Sequence, residues 1–173
     1  WACGTFSNVL GTRGLDPSAK NFFHKTDRVV IPDGTQKPIV AYRSKSTYNG
    51  FTHSVLAKLL VARLASSSEG LYEFGFVFNP TTITGGSFTD INTLSSVIEV
   101  NDGVTGFTGG SERFTVPLAV PSSGNGVASL NEDFEKLGAF LGRGSSVVIT
   151  IREIRSGGGE DNQLISFNWQ ELF

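Results

Sequence analysis

The glycine run near the C-terminal end is the stretch with the clearest potential for chemistry. Glycines 157–159 precede Glu160, Asp161 and Asn162. A phosphate-binding loop needs a helix directly after the glycines, so that free N–H groups point at the anion. The following residues, QLISFNW, instead alternate between apolar and polar side chains, which is the period of a strand. A calcium loop needs oxygen ligands spread over about a dozen residues, and this stretch offers only Glu160, Asp161 and Asn162. We therefore interpret the run as the tip of a hairpin between VVITIREI and QLISFNW.

Residues for nucleophilic or metal chemistry are few. His24 and His53 are the only histidines and Cys3 is the only cysteine. No G-x-S-x-G turn exposes a serine, and neither histidine has a second one at metal-ligand spacing. The glycine pair in GTRG (residues 11–14) precedes no helical pattern, and no GK[ST] follows it. The sequence predicts no enzyme, no metal and no cofactor, with a hydrolase of unrecognised site as the least favoured hypothesis.

Basic side chains are concentrated in the first third of the chain. Residues 1–63 contain nine Lys or Arg against three Asp or Glu, whereas residues 64–173 contain five against thirteen. A basic face is typical of an anionic partner such as RNA, although the two halves can also neutralise each other in the fold. The candidate nucleic-acid-facing residues are Arg13, Lys20, Lys25, Arg28, Arg43 and Lys45.

Length and composition indicate one folded domain. The chain has 173 residues, 39% of them apolar and 17% charged, with 14 Phe and 21 Gly. Phe favours buried sheet faces and Gly favours turns, so this mixture predicts a mainly β protein. We expect an irregular arm over residues 1–20 and a single domain over residues 21–173.

No apolar run approaches the roughly 18 residues of a membrane helix, so we expect a soluble chain without a membrane partner. The first residue is Trp and the sequence contains no Met, so we expect a processed or excised product.

Alternating side chains identify three strands. Tyr72, Phe74, Phe76 and Phe78 share one parity, which predicts a strand with an aromatic face in the core. RFTVPLAV alternates in the same way, and Pro117 in its middle cannot donate to a ladder, so it is predicted at a sheet edge or next to a bulge. The third strand is predicted to bury Ile165, Phe167 and Trp169.

Two stretches have the apolar spacing of helices. In FTHSVLAKLLVARLASSS, Leu56, Leu60 and Leu64 lie on one helical face. In SLNEDFEKLGAFLGRG, Ser129 and Glu132 match a capping box. We therefore predict short flanking helices at about 52–69 and 130–141, on a mainly antiparallel β-sandwich of jelly-roll-like form.

This order of elements resembles that of the jelly-roll coat proteins of small RNA viruses. The resemblance is carried by the run of short strands, by FTHSVLAKLLVARLASSS after the second strand and by SLNEDFEKLGAFLGRG before the last two. It implies symmetric self-assembly into a capsid, a basic inner surface that faces viral RNA, and location in the virion. The chain departs from many such coats because its first residues contain no dense Arg/Lys arm.

The leading hypothesis is therefore a non-enzymatic structural protein that assembles with copies of itself as a viral coat. The alternative is a surface attachment or recognition domain that binds a glycan or a receptor. Native mass distinguishes the two, since a shell subunit forms large particles and a recognition domain does not.

Overall fold

The computed structural model describes residues 19–30, 34–66, 69–92, 95–120, 130–133, 139–156 and 161–173. These residues form antiparallel strands and turns, and none of them lies in a helix. The strands are β1 Lys20–Val30, β2 Lys37–Ser44, β3 Thr47–Tyr48, β4 Phe51–Thr52, β5 Leu56–Ser66, β6 Gly70–Phe78, β7 Thr82–Thr84, β8 Thr89–Asp90, β9 Ile98–Asn101, β10 Gly106–Thr108, β11 Ser111–Val120, β12 Leu130–Asp133, β13 Phe140–Leu141, β14 Ser146–Ser156 and β15 Asp161–Leu172.

Two large sheets contain most of these strands. Sheet A has the order β1-β15-β5-β12, and β13 also pairs with β5. Sheet B has the order β11-β6-β14-β2-β9-β8. The pairs β3–β4 and β7–β10 form two small separate ladders.

Strand pairing in the two sheets is nested. Eight strands (β1, β2, β5, β6, β11, β12, β14 and β15) carry the pattern, and all their pairs are antiparallel. The first of the eight pairs with the last, the second with the seventh, the third with the sixth and the fourth with the fifth. Except for β6 and β11, which pair with each other in sheet B, strands that are neighbours in this series lie in different sheets, so their connections run from one sheet to the other.

Both sheets contribute to one buried core. Tyr42 of sheet B has its ring centre 4.8 Å from that of Phe167 and 6.1 Å from that of Trp169, both in sheet A. The four aromatic residues of β6 at positions 72, 74, 76 and 78 are buried, as their common parity predicts. The prediction for Ile165, Phe167 and Trp169 is confirmed in the same way.

The helix predicted at about 52–69 is wrong, because this stretch contains β4 and β5. In the pairing of β5 with β15, Leu60 is an extra residue between Leu59 and Val61. This bulge moves the inward-facing residues from the parity of Ala57 and Leu59 to that of Ala62 and Leu64. Of the three leucines that the helix prediction placed on one face, Leu64 alone is buried, whereas Leu56 is exposed and Leu60 is the bulged residue.

The helix predicted at about 130–141 is also wrong. Leu130–Asp133 is β12 and Phe140–Leu141 is β13, and both pair with β5. The backbone groups along that side of β5 need partners, and this ladder requirement overrides the local capping signal. Ser129 and residues 134–138 lie outside the described residues.

The hairpin predicted between VVITIREI and QLISFNW is wrong as well. β14 pairs with β2 and β6 in sheet B, whereas β15 pairs with β1 and β5 in sheet A. The connection between them crosses from one sheet to the other, and its glycines 157–159 lie outside the described residues. The edge position predicted for the strand with Pro117 is confirmed, because β11 ends sheet B and has a register shift between Glu112 and Phe114.

Candidate functional site

The six predicted basic residues do not share one surface in the described part of the chain. Lys20, Lys25 and Arg28 belong to β1 in sheet A, whereas Arg43 belongs to β2 in sheet B and Lys45 follows it directly. Arg13, like most of the predicted arm of residues 1–20, lies outside the described residues. Lys20, the last residue of the predicted arm, is the first residue of β1.

The two basic residues of sheet B are paired with acids. Arg43 donates to Glu99 through Nε at 3.0 Å and through Nη2 at 2.7 Å. Its guanidinium also lies 4.0 Å from the ring centre of Phe88. Lys45 forms an ion pair with Asp90. Arg43, Lys45 and Glu99 border a cleft of about 400 Å³, which also includes Ser46, Thr47 and Gly144. Acids from the second half of the chain thus neutralise cations from the first half, and the cleft offers little net attraction to an anion.

A second concavity lies beside the exposed face of sheet A. It has a volume of about 570 Å³ and is lined by Asn21, Phe22, Phe23, Leu60, Arg63, Ser166, Asn168 and Trp169. Phe23 is 70% exposed, which is unusual for a large aromatic side chain. We name this concavity the Phe23 groove. An exposed ring next to amides, a hydroxyl and a guanidinium can stack on a planar or pyranose ring while its neighbours form hydrogen bonds.

Residue pairing explains how the Phe23 groove arises. Phe23 lies opposite Asn168 and Lys25 opposite Ser166 in the pairing of β1 with β15. Ser166 in turn lies opposite Arg63 in β5. Residues directly opposite in a ladder point to the same face, so these side chains form rows across three strands.

The sequence analysis missed Phe23, although a signal was present in NFFHKTD. Adjacent residues of a strand point to opposite faces, so Phe22 and Phe23 cannot both be in the core. Phe22 is the inward one and stacks on Trp169, with ring centres 5.8 Å apart. Arg63 was missed because its stretch was interpreted as a helix.

A chain of three ionisable groups joins the two sheets at their rim. The hydroxyl of Tyr42 lies 3.1 Å from Nδ1 of His24, and Nε2 of His24 lies 3.4 Å from Oδ2 of Asp102. Burial raises the pKa of the Tyr42 phenol well above its ordinary value, and the negative charge of Asp102 raises this pKa further. The phenol therefore stays protonated, and the tautomer of His24 sets the direction of the hydrogen bond between the Tyr42 hydroxyl and Nδ1. Because Tyr42 is fully buried, its hydroxyl has no route to a substrate.

A buried carboxylate forms the second polar linkage between the sheets. Glu171 of β15 is completely buried. Its Oε1 accepts hydrogen bonds from Ser96 Oγ at 2.5 Å and from Trp169 Nε1 at 3.0 Å. Its Oε2 accepts one from the backbone N–H of Val97 at 3.0 Å. These contacts hold the segment before β9 against sheet A.

His53, the other candidate for chemistry, has a local structural role. Its Nε2 lies 2.8 Å from the backbone oxygen of Lys45, and its Nδ1 accepts from the N–H of Val55 at 3.2 Å. Cys3 lies outside the described residues, as does Glu160. Among the residues that the structure describes, no three His, Cys, Asp or Glu side chains converge as metal ligands. In the same part of the chain, no helix has the length and apolar character needed to cross a bilayer.

Comparison of the chain with protein-family models, with curated proteins and with solved structures gives no match.

Proposed function

We propose that this chain is a non-enzymatic structural subunit that assembles with copies of itself as the coat of a virus. The observation that carries the proposal is the nested pairing of eight antiparallel strands. A ribbon of four such pairs, rolled up so that the pairs divide between two facing sheets, is a jelly roll. Jelly rolls are common in viral capsid and lectin domains, so this fold supports a role in assembly or recognition, although the fold alone does not determine function.

The sheet edges favour assembly. Proteins protect exposed edges with short strands, proline or bulges, because an unpaired edge pairs with other chains. The edge strands β8 and β12 have two and four residues, and β11 contains Pro117. In contrast β1 has eleven residues and an uninterrupted register with β15, and no other described strand pairs with its far side. A long unprotected edge suits a subunit that is covered by a neighbour.

Contact with viral RNA is the second part of the proposal. Lys25 is exposed on sheet A, and Arg13, Lys20 and Arg28 belong to the same basic stretch of sequence. Arg43 and Lys45 contribute less, since Glu99 and Asp90 neutralise them. We expect binding to single-stranded RNA that weakens steeply with salt, because each phosphate contact releases counterions.

Native mass spectrometry and electron microscopy of the purified chain test the assembly proposal. The expected result is closed particles, or discrete oligomers that grow into particles as concentration rises. Elution as a monomer at high concentration, with or without added RNA, would contradict the proposal.

The Phe23 groove favours a second candidate, a recognition domain for glycans or a receptor. Its exposed ring and its amides, from Asn21 and Asn168, match the stacking and hydrogen bonding that sugar recognition uses. A glycan array with the wild-type chain and with Phe23→Ala tests this candidate. We expect signals that disappear in the variant, while Val29→Ala, at another exposed apolar position of β1, keeps them. An array without signals would exclude glycans as the ligand.

A further inference from the structure

β1, whose outer edge pairs with no other described strand, has a self-complementary row of side chains. Phe23, Lys25, Asp27 and Val29 all have exposed side chains at alternating positions of the strand. Phe23 and Val29 are 70% and 57% exposed, although both are large and apolar. Neither Lys25 nor Asp27 forms an ion pair with another described residue. The row therefore reads apolar, positive, negative, apolar.

When two antiparallel copies of β1 pair about a two-fold axis at Thr26, each side chain of this row lies opposite a complementary side chain of the other copy. Phe23 then lies opposite Val29 of the second copy, and Lys25 lies opposite Asp27 of the second copy. The same contacts recur on the other side of the axis, since a two-fold interface is self-complementary. Side chains directly opposite in such a ladder lie about 5 Å apart at Cβ, close enough for an apolar contact or an ion pair.

Neighbouring registers lack this match. An axis at Lys25 would place Lys25 opposite itself, and an axis at Asp27 would place Asp27 opposite itself. With an axis between two residues, exposed positions of one copy would lie opposite inward positions of the other, because the side-chain period is two. Thr26, which is buried, is therefore the centre that combines opposite charges with apolar contacts.

We infer that two copies of this chain join through their β1 edges in this register, so that sheet A continues from one subunit into the next. This inference rests on the proposed function and names the first contact of the assembly. The interface combines backbone hydrogen bonds along β1 with two Phe23–Val29 contacts and two Lys25–Asp27 ion pairs. It also gives a partner to the long edge that no other described strand pairs with.

Charge reversal tests the register. Lys25→Glu places two acids opposite each other on both sides of the axis, and Asp27→Lys places two cations there. Each change converts two attractive pairs into two repulsive ones, so we expect the dimer dissociation constant to rise about tenfold or more for either variant. A one-to-one mixture of the two variants restores opposite charges at both pairs. We expect this mixture to form heterodimers about as tightly as the wild-type chain.

Sedimentation velocity of nuclease-treated protein at 0.1 M salt provides the measurement, with circular dichroism to check folding. Both positions are exposed, so the single variants should melt close to the wild-type temperature. Asp27→Lys also separates this interface from assembly driven by RNA. An added positive charge would strengthen RNA-driven assembly, whereas it weakens β1 pairing.

Cross-linking gives an independent measurement of the register. In a Cys3→Ser background, Phe23→Cys and Val29→Cys chains are mixed and oxidised. We expect disulfide-linked heterodimers in the mixture and little cross-linking in either variant alone. In the inferred register the two residues at position 23 are six residues apart along the strands, or about 20 Å, which a disulfide cannot bridge.

The possible failures are distinguishable. If both charge variants assemble like the wild-type chain, or if their mixture remains as weak as they are alone, the β1 register is wrong. Particles formed under those conditions would leave the coat proposal intact. If the wild-type chain stays monomeric at high concentration, both the register and the coat proposal are wrong.

Discussion

Two polar linkages fasten sheet A to sheet B, and they differ in their access to water. Glu171 is completely buried and accepts three hydrogen bonds from the Ser96 hydroxyl, the Val97 amide and the Trp169 indole. The His24 linkage lies at the rim, where Asp102 is about half exposed. A buried polar group that loses a partner has no water to replace it, whereas a rim group does. The interior linkage should therefore dominate stability, and the rim linkage should respond more to pH and salt.

Removal of the buried carboxylate is expected to have the largest effect. Glu171→Ala leaves three buried donors without an acceptor, so the free energy of unfolding should fall by about 4 kcal/mol. Glu171→Gln keeps one acceptor but turns an N–H₂ group toward a donor, and about half that loss is expected. Urea denaturation measures both variants. Gln170→Ala, on the opposite face of the same strand, is the control and should lose about 0.5 kcal/mol or less. An equal loss in the control would show that Glu171 has no special role.

The indole N–H is the next largest contribution to the same linkage. Trp169→Phe keeps an aromatic ring next to Phe22 and Tyr42 but removes the donor to Glu171. We expect a loss of about 2 kcal/mol from the hydrogen bond and the reduced volume together. A double-mutant cycle with Glu171→Gln isolates the pair, and a coupling of about 1 kcal/mol is expected. Full additivity of the two losses would mean that the two side chains act independently.

Part of the Glu171 linkage could be predicted from the sequence. Ile165, Phe167 and Trp169 were assigned to the core from their alternation, and Glu171 is the next residue of the same parity. Extending the pattern by two residues would have predicted a buried acid. Its partner could not be predicted, because Ser96 is 75 positions away and becomes a neighbour only through the order of strands in the two sheets.

The errors at 52–69 and 130–141 have a common physical origin. Local spacing describes one strand, but a bulge such as that at Leu60 is produced by the pairing with β15. Likewise, the capping pattern at 129–132 is local, whereas pairing of β12 with Leu64 and Arg63 is a contact between distant segments. The core strands with regular alternation were predicted correctly because their periodicity needs no knowledge of a partner.

At the rim, removal of the Tyr42 hydroxyl should have a smaller effect with a distinct pH dependence. Tyr42→Phe removes one hydrogen bond to His24, and a loss of about 1 kcal/mol is expected at pH 7. Because burial raises the pKa of the folded Tyr42 phenol, the unfolded chain releases this proton first as pH rises above about 10. Stability associated with Tyr42 is thus complete below pH 10 and declines above it, by about 1.4 kcal/mol per pH unit.

Tyr42→Phe should therefore show a shallower alkaline decline than the wild-type chain. Urea denaturation between pH 9 and 11 measures the two slopes, and their difference should approach one proton. Parallel slopes would mean that the Tyr42 phenol ionises in the folded protein, contrary to its burial.

The smallest effect is expected for the outermost member of the rim linkage. Asp102→Asn keeps the shape of the turn, in which the Asn101 side chain accepts from the N–H of Gly103. It removes a negative charge that lies 3.4 Å from His24 and is about half exposed, so screening limits the loss to about 0.5 kcal/mol at low salt. The loss should vanish near 1 M salt, where the Debye length is about 3 Å. Because Asp102 also raises the pKa of Tyr42, the variant should lower that pKa, and the alkaline decline in stability should therefore end at a lower pH. A salt-independent loss larger than that of Tyr42→Phe would reverse the order proposed within the rim linkage, since the half-exposed carboxylate would then contribute more than the buried phenol.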